Sequence, residues 1–216
     1  MLTMNKSFLL GAFALAALTA CSPKADNAGQ AAPQTSAPAA EQAAPAAQSR
    51  GIDMRKEDIG GDFTMTDGEG KPFNLSDLQG KVVVLSFGYT NCPDVCPTEL
   101  LTQSDILKQL GDQAKDVQVV FASVDPERDT PEVVGKYAKQ FDPSFIGLTV
   151  TGDQSLPVVK QQYRVVSAKV VQGDSDNYLV DHTAGSYLID KNGEVAFFEP
   201  YGTEPESVAA DIRSLL

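Results

Sequence analysis

Two of the chain's three cysteines, Cys92 and Cys96, stand with three residues between them in "GYTNCPDVCPTEL" (88–100), each followed by a proline. The single histidine, His182, lies far along the chain in "YLVDHTAGSYLID" (178–190). A thiolate is a nucleophile and a soft metal ligand, and an imidazole is a base or a ligand. The cysteines therefore admit three readings: a structural bridge, a redox pair, or two arms of a metal clamp. On a regular helix two residues at this spacing hold their Cβ atoms about 5–6 Å apart, whereas a relaxed disulfide needs roughly 3.5–4.5 Å. Pro93 and Pro97 bias Cys92 and Cys96 away from helical angles, so an irregular loop and a breakable bridge are both allowed. A staple closing so short a loop adds little chain-entropy stabilisation and is the least favoured reading.

Two thiolates and one imidazole form a soft donor set that suits Cu(I) and, with a weak extra ligand or water, Cu(II). A structural zinc would want a fourth ligand, which only an Asp or Glu remains to supply. Asp181 or a backbone carbonyl is the expected partner for the other ring nitrogen of His182. General disulfide oxidoreductases use CxxC with a cis-proline opposite it; here the spacing is CxxxC, and residues 158–199 contain no proline. Asp125 and Asp129, in "SVDPERDT" (123–130), either stand near the site or shape the turn that leads into Thr130.

The elements that must position these residues alternate in type. "FTMTDGEGKPFNL" predicts a hairpin turned at Asp67–Gly70, and "SDLQGK" a helical turn begun by Ser76 and stopped by Gly80. "VVVLSFGY" (82–89) and "VQVVFASV" (117–124) read as buried central strands. Between them Leu100, Leu101, Ile106, Leu107 and Leu110 give a helix at about 98–110 its apolar face. Thr130-Pro131 opens the next helix, and a short one is expected near 155–163. Strand segments follow around 165–171, 185–189 and 195–198, with a turn at Lys191-Asn192-Gly193. Thr203 and Glu206 have capping-box spacing before a last helix. This order predicts a thioredoxin-like α/β fold: an N-terminal hairpin, and a central mixed sheet flanked by helices. Its sites belong in loops at the C-terminal ends of parallel strands, where Cys92 and Cys96 fall. The helix that follows them turns its positive end toward both sulfurs and favours thiolates.

The formal charge of −12 argues against nucleic acid as a partner. Residues 1–20 read as an export signal, with Lys6 followed by an apolar run too short to span a bilayer. They end in Leu18-Thr19-Ala20-Cys21, similar to a bacterial lipobox, which implies cleavage before Cys21 and its acylation. Residues 21–51 are then the lipidated cysteine and an Ala/Pro-rich disordered tether with a reach of ~30 Å. Residues 52–216 form one folded domain. The expected location is extracytoplasmic (periplasmic), on a bacterial membrane through the lipid, a compartment where disulfides persist.

In this order, "FGYTNCPDVCPTEL", "SVDPERDT" and "YLVDHTAGSYLID" resemble the SCO/SenC family of copper-binding, thioredoxin-like proteins. The resemblance covers about residues 55–216. It implies a membrane-tethered copper chaperone that assists assembly of the CuA centre in cytochrome c oxidase subunit II, or serves another cuproprotein. It further implies Cys92, Cys96 and His182 as copper ligands, and a Cys92–Cys96 disulfide on oxidation. A copper donor or a thiol reductant is the implied upstream partner. The alternative is a thiol–disulfide oxidoreductase acting on copper-site cysteines or in oxidative-stress defence. One feature departs from many members: the expected anchor is a lipid, not a transmembrane helix, with inner or outer membrane left open, and a ~30 Å tether would hardly carry the domain across a periplasm to an inner-membrane oxidase.

Overall fold

A computed structural model describes residues 51–171 and 178–216. The expected signal, Cys21 and the tether (residues 22–50) lie outside the described residues. In chain order the strands are β1 (Ile52–Asp53), β2 (Thr64–Asp67), β3 (Pro72–Asn74), β4 (Val82–Gly88), β5 (Val117–Ser123) and β6 (Ile146–Thr149). They continue with β7 (Ser167–Val171), β8 (Tyr178–His182), β9 (Gly185–Ile189) and β10 (Val195–Pro200). The helices are α1 (Val95–Leu110), α2 (Pro131–Lys139), α3 (Leu156–Gln162) and α4 (Pro205–Leu215).

Eight strands make one mixed sheet in the order β1-β10-β9-β4-β5-β6-β2-β3. The β4, β5 and β6 strands run parallel, and β9 lies antiparallel to β4. Every residue of β4 and β5 is buried, because both faces of the sheet's centre are covered; this is why these strands read as unbroken apolar runs. Successive side chains point to opposite faces. Ser86, Gly88 and Phe121 face α1 and α2, with Phe121 against Tyr137 of α2 and α1 packed on α4. Phe87 faces the other way, onto Tyr163 just past α3. The thioredoxin-like expectation of a mixed sheet between helices therefore holds.

Four local expectations shift. The first helix starts at Val95, not 98, and Cys96 is itself helical. Pro97 is tolerated in the first turn because its missing N–H would have had no partner there. The turn at 75–78 begins one residue early, capped by Asn74, whose N–H donates to Asp77 at 3.0 Å. The Thr203–Glu206 capping box does not form: Thr203 Oγ1 donates to the Pro200 carbonyl at 2.8 Å, and α4 begins at Pro205. Most consequential is β8, which with β7 forms a separate two-stranded ribbon. His182 is its last residue, in a segment for which no strand was expected.

Candidate metal centre

The loop after β4 brings the cysteines to the end of the sheet. Cys92 closes it, its N–H donating to the Tyr89 carbonyl at 3.2 Å, and Cys96 follows in the first turn of α1. The Cys96 N–H points at Cys92 Sγ at 3.4 Å, and Cys96 Sγ lies 3.4 Å from His182 Nε2. The three donor atoms all lie within 4.8 Å of one another. Metal–ligand bonds of roughly 2.0–2.3 Å put donor atoms about 3.5–4 Å apart, so this pocket needs only a small contraction to hold an ion. Neither sulfur is in a disulfide. Cys96 is buried at 2% exposure, whereas Cys92 is half-buried.

Each group is held from behind. Gly88 leaves room for the buried thiol, since a Cβ there would lie 2.7 Å from Cys96 Sγ. The ring of His182 meets Tyr89 edge-on at 5.9 Å. Its Nδ1 faces the Thr183 carbonyl at 2.9 Å, which fixes the tautomer with Nε2 free as a donor toward a metal. Of the two partners expected for this nitrogen, the backbone carbonyl is the one in place. Asp181 is exposed and takes no part, because alternation along β8 turns His182, Val180 and Tyr178 inward and Asp181 out.

Asp125 and Asp129 are both buried and stand one layer behind the donors. Asp129 accepts from the Thr90 N–H (2.9 Å), Thr90 Oγ1 (2.6 Å) and Ser123 Oγ (2.6 Å), so it clamps the cysteine loop two residues before Cys92. Asp125 accepts from Tyr178 Oη at 2.7 Å and pairs with Arg128, whose guanidinium stacks 3.6 Å over the Tyr178 ring. That cluster fixes the start of β8, four residues ahead of His182. The alternative of a turn-shaping role also holds in part, for the Asp129 N–H donates to the Asp125 carbonyl at 2.9 Å in the turn that leads to the Thr130 cap. Sequence reasoning missed Glu99. It accepts from Ser186 and Ser86, which in turn accept from the Gln103 amide at 2.8 and 2.7 Å. Its position three residues after Cys96, on the same helical face, was the available signal.

The electrostatics separate the two thiols. Cys92 is pulled down to about 3, chiefly by the Cys96 thiol donating to it, with His182 and backbone N–H groups adding to the effect. Cys96 is pushed strongly up by the neighbouring Cys92 thiolate and then by burial. Burial opposes charge on His182, yet Cys92 and the Thr183 carbonyl outweigh it and raise its pKa. Burial likewise raises Glu99 against the serine hydrogen bonds. The centre thus sets a stabilised thiolate at Cys92 against a buried thiol at Cys96.

The SCO1/SenC family model matches residues 53–216, the whole described domain apart from its first two residues. The chain belongs to the SCO1/SenC family. An SCO2-like protein of Rickettsia felis is 43% identical over 137 residues, covering 63% of this chain and 66% of that protein. The chain thus spans just under two thirds of that relative's length. Among solved structures, copper-bound ScoI of Bradyrhizobium japonicum is 42% identical with a TM-score of 0.66, covering 73% of this chain and 99% of that one. Copper-bound ScoI of Arabidopsis thaliana is 38% identical with a TM-score of 0.66, covering 72% and 99%.

Proposed function

We propose that this SCO1/SenC chain is a copper metallochaperone whose cargo is held by Cys92, Cys96 and His182. The observation that carries the reading is the convergence of two sulfurs and Nε2, all within 4.8 Å of one another. Its support from the comparisons is the likeness to two copper-bound ScoI structures. The donor set favours Cu(I) and admits Cu(II) with a further weak ligand. Copper entry displaces the Cys96 proton, and the Cys92 thiolate supplies the first bond. Release follows by stepwise replacement of ligands by an acceptor's thiolates or imidazoles. Alternatively, thiol–disulfide exchange with a partner's disulfide, which is reduced to two thiols as Cys92 and Cys96 become a disulfide, removes both soft ligands at once. The acceptor we infer is the CuA site of cytochrome c oxidase subunit II or another cuproprotein, with the domain held outside the cytoplasm by lipid on Cys21.

A second reading is a thiol–disulfide reductase for the acceptor's own cysteines. It is favoured by one observation: an accessible low-pKa thiolate beside a buried thiol that can resolve a mixed disulfide. Copper titration of the purified, reduced protein separates the two. The chaperone reading expects one copper per chain and a loss of affinity of roughly 100-fold or more in His182→Ala, since even outer partners cost about 10–100-fold. Unchanged affinity in that variant, with turnover of a disulfide substrate intact, would remove the histidine from the site and leave the reductase.

A further inference from the structure

A cleft of about 250 Å³ opens beside the centre, between α1, α4 and the segment joining β10 to α4. Its chemistry is one-sided. Three carboxyl side chains line it, Glu99 in its floor, Glu199 in its wall and Glu204 at its rim, and the lining contains no Lys, Arg or His among the described residues. Ile106, Val208 and Pro205 supply apolar walls, and Tyr201, 42% exposed, stands at the mouth. Gln103 also lines it, with its Oε1 lacking a hydrogen-bond donor among the described residues. The cleft adjoins the metal centre through two elements. Glu99 follows Cys96 by one turn of α1, and the Tyr201 N–H donates to the Ala184 carbonyl, two residues past His182, at 3.3 Å.

We propose that this cleft is a docking site for a lysine or arginine side chain of the protein that exchanges copper with the centre. A cation on an aliphatic stem matches each part of the lining. The stem lies along the apolar walls, the head meets Glu99 and Glu204, and a guanidinium can stack on Tyr201. A bare metal ion is a poorer match: among the described residues the only group of three close ligand side chains is Cys92, Cys96 and His182. The identity of the partner rests on the copper-exchange reading, whereas the cation preference of the cleft does not.

The test uses the copper-free, reduced full chain, so that it stands whether or not copper is the cargo. Nα-acetyl-arginine methylamide is titrated while backbone amide resonances are followed by NMR. Saturable shifts are expected in 98–103 and 201–204, with the neutral citrulline analogue at least ~10-fold weaker. Thr102→Trp, which fills the cleft from the surface of α1, should abolish the shifts while leaving copper affinity unchanged. Glu204→Lys, at an exposed position that leaves the core intact, should weaken the probe by roughly tenfold by placing a cation at the rim. Equal binding of arginine and citrulline probes, or shifts scattered over the acidic surface in both variants, would overturn the site. Spermidine binding the cleft more tightly than the arginine probe would overturn the docking role in favour of a free polyamine.

Discussion

Replacing Asp129 tests whether the centre is preorganised from behind. The carboxylate is fully buried and takes three hydrogen bonds: two from Thr90 and one from Ser123. Hydrogen bonds to a charged group contribute about 1.5–3 kcal/mol each, and stranding a buried donor costs about 1–3 kcal/mol. In Asp129→Ala the Thr90 N–H loses its acceptor and cannot turn away, while the two hydroxyls can rotate. The sum is not additive within one network, so the expected loss is about 3–5 kcal/mol. Asp129→Asn has the same shape. Its oxygen can serve the Thr90 N–H and Ser123 Oγ, and its amide can donate to Thr90 Oγ1 once that hydroxyl turns. The charge assistance is lost, which sets the expected cost at about 1–2 kcal/mol. Urea unfolding of both variants gives these numbers directly. Iodoacetamide alkylation of Cys92 under native conditions reads the loop, and should accelerate in Asp129→Ala but little in Asp129→Asn. A loss below about 1 kcal/mol for Ala, or equal losses for the two variants, would show that the clamp does not hold the loop.

The low pKa of Cys92, about 3, keeps it a thiolate through the neutral and mildly acid range. Its alkylation rate should therefore stay flat between about pH 8 and pH 5, where an ordinary thiol slows about tenfold per unit; a rate that follows a group near 8.5 would contradict the charge assignment. Gly88→Ala would place a Cβ 2.7 Å from both Cys96 Sγ and the Phe121 ring. It should cost about 1–3 kcal/mol in unfolding and weaken copper binding measured by titration. Glu199 is raised to about 8 by burial and by Asp211 beside it. The folded state then holds a proton that the unfolded state has released, so thermal stability should fall as pH rises from about 4.5 to 8. Glu199→Gln should flatten that part of the Tm–pH curve.

The main strands and helices were legible because their signals are local. The runs of β4 and β5 are continuous, and Thr130-Pro131 both caps and starts α2. The centre was legible because its donors are the domain's only cysteines and the chain's only histidine. What was misread depended on tertiary context. Pro97 is disruptive in a helix interior but harmless in a first turn, and only the fold decides where that turn begins. Tyr178, Val180 and His182 have the alternation of a half-buried strand, yet five residues are too few to distinguish a ribbon from a loop. Glu99 and its serine partners are separated by 13 and 87 positions, and no sequence pattern joins residues across a sheet. Asp125 and Asp129 were found through their motif, but their orientation toward Tyr178 and Thr90 came only with the packing.

The unequal exposure of the two sulfurs gives the centre a front and a back. Of the two sulfurs only Cys92 meets solvent, so a partner's disulfide or a peroxide, each able to take two electrons, makes its first bond to that atom. Cys96, walled in by Gly88 and Phe121, can then act only as the second participant. Traffic at the site is thus ordered by shape before affinity enters. Oxidants that differ widely in chemistry must all approach through one sulfur and wait for the same neighbour to answer.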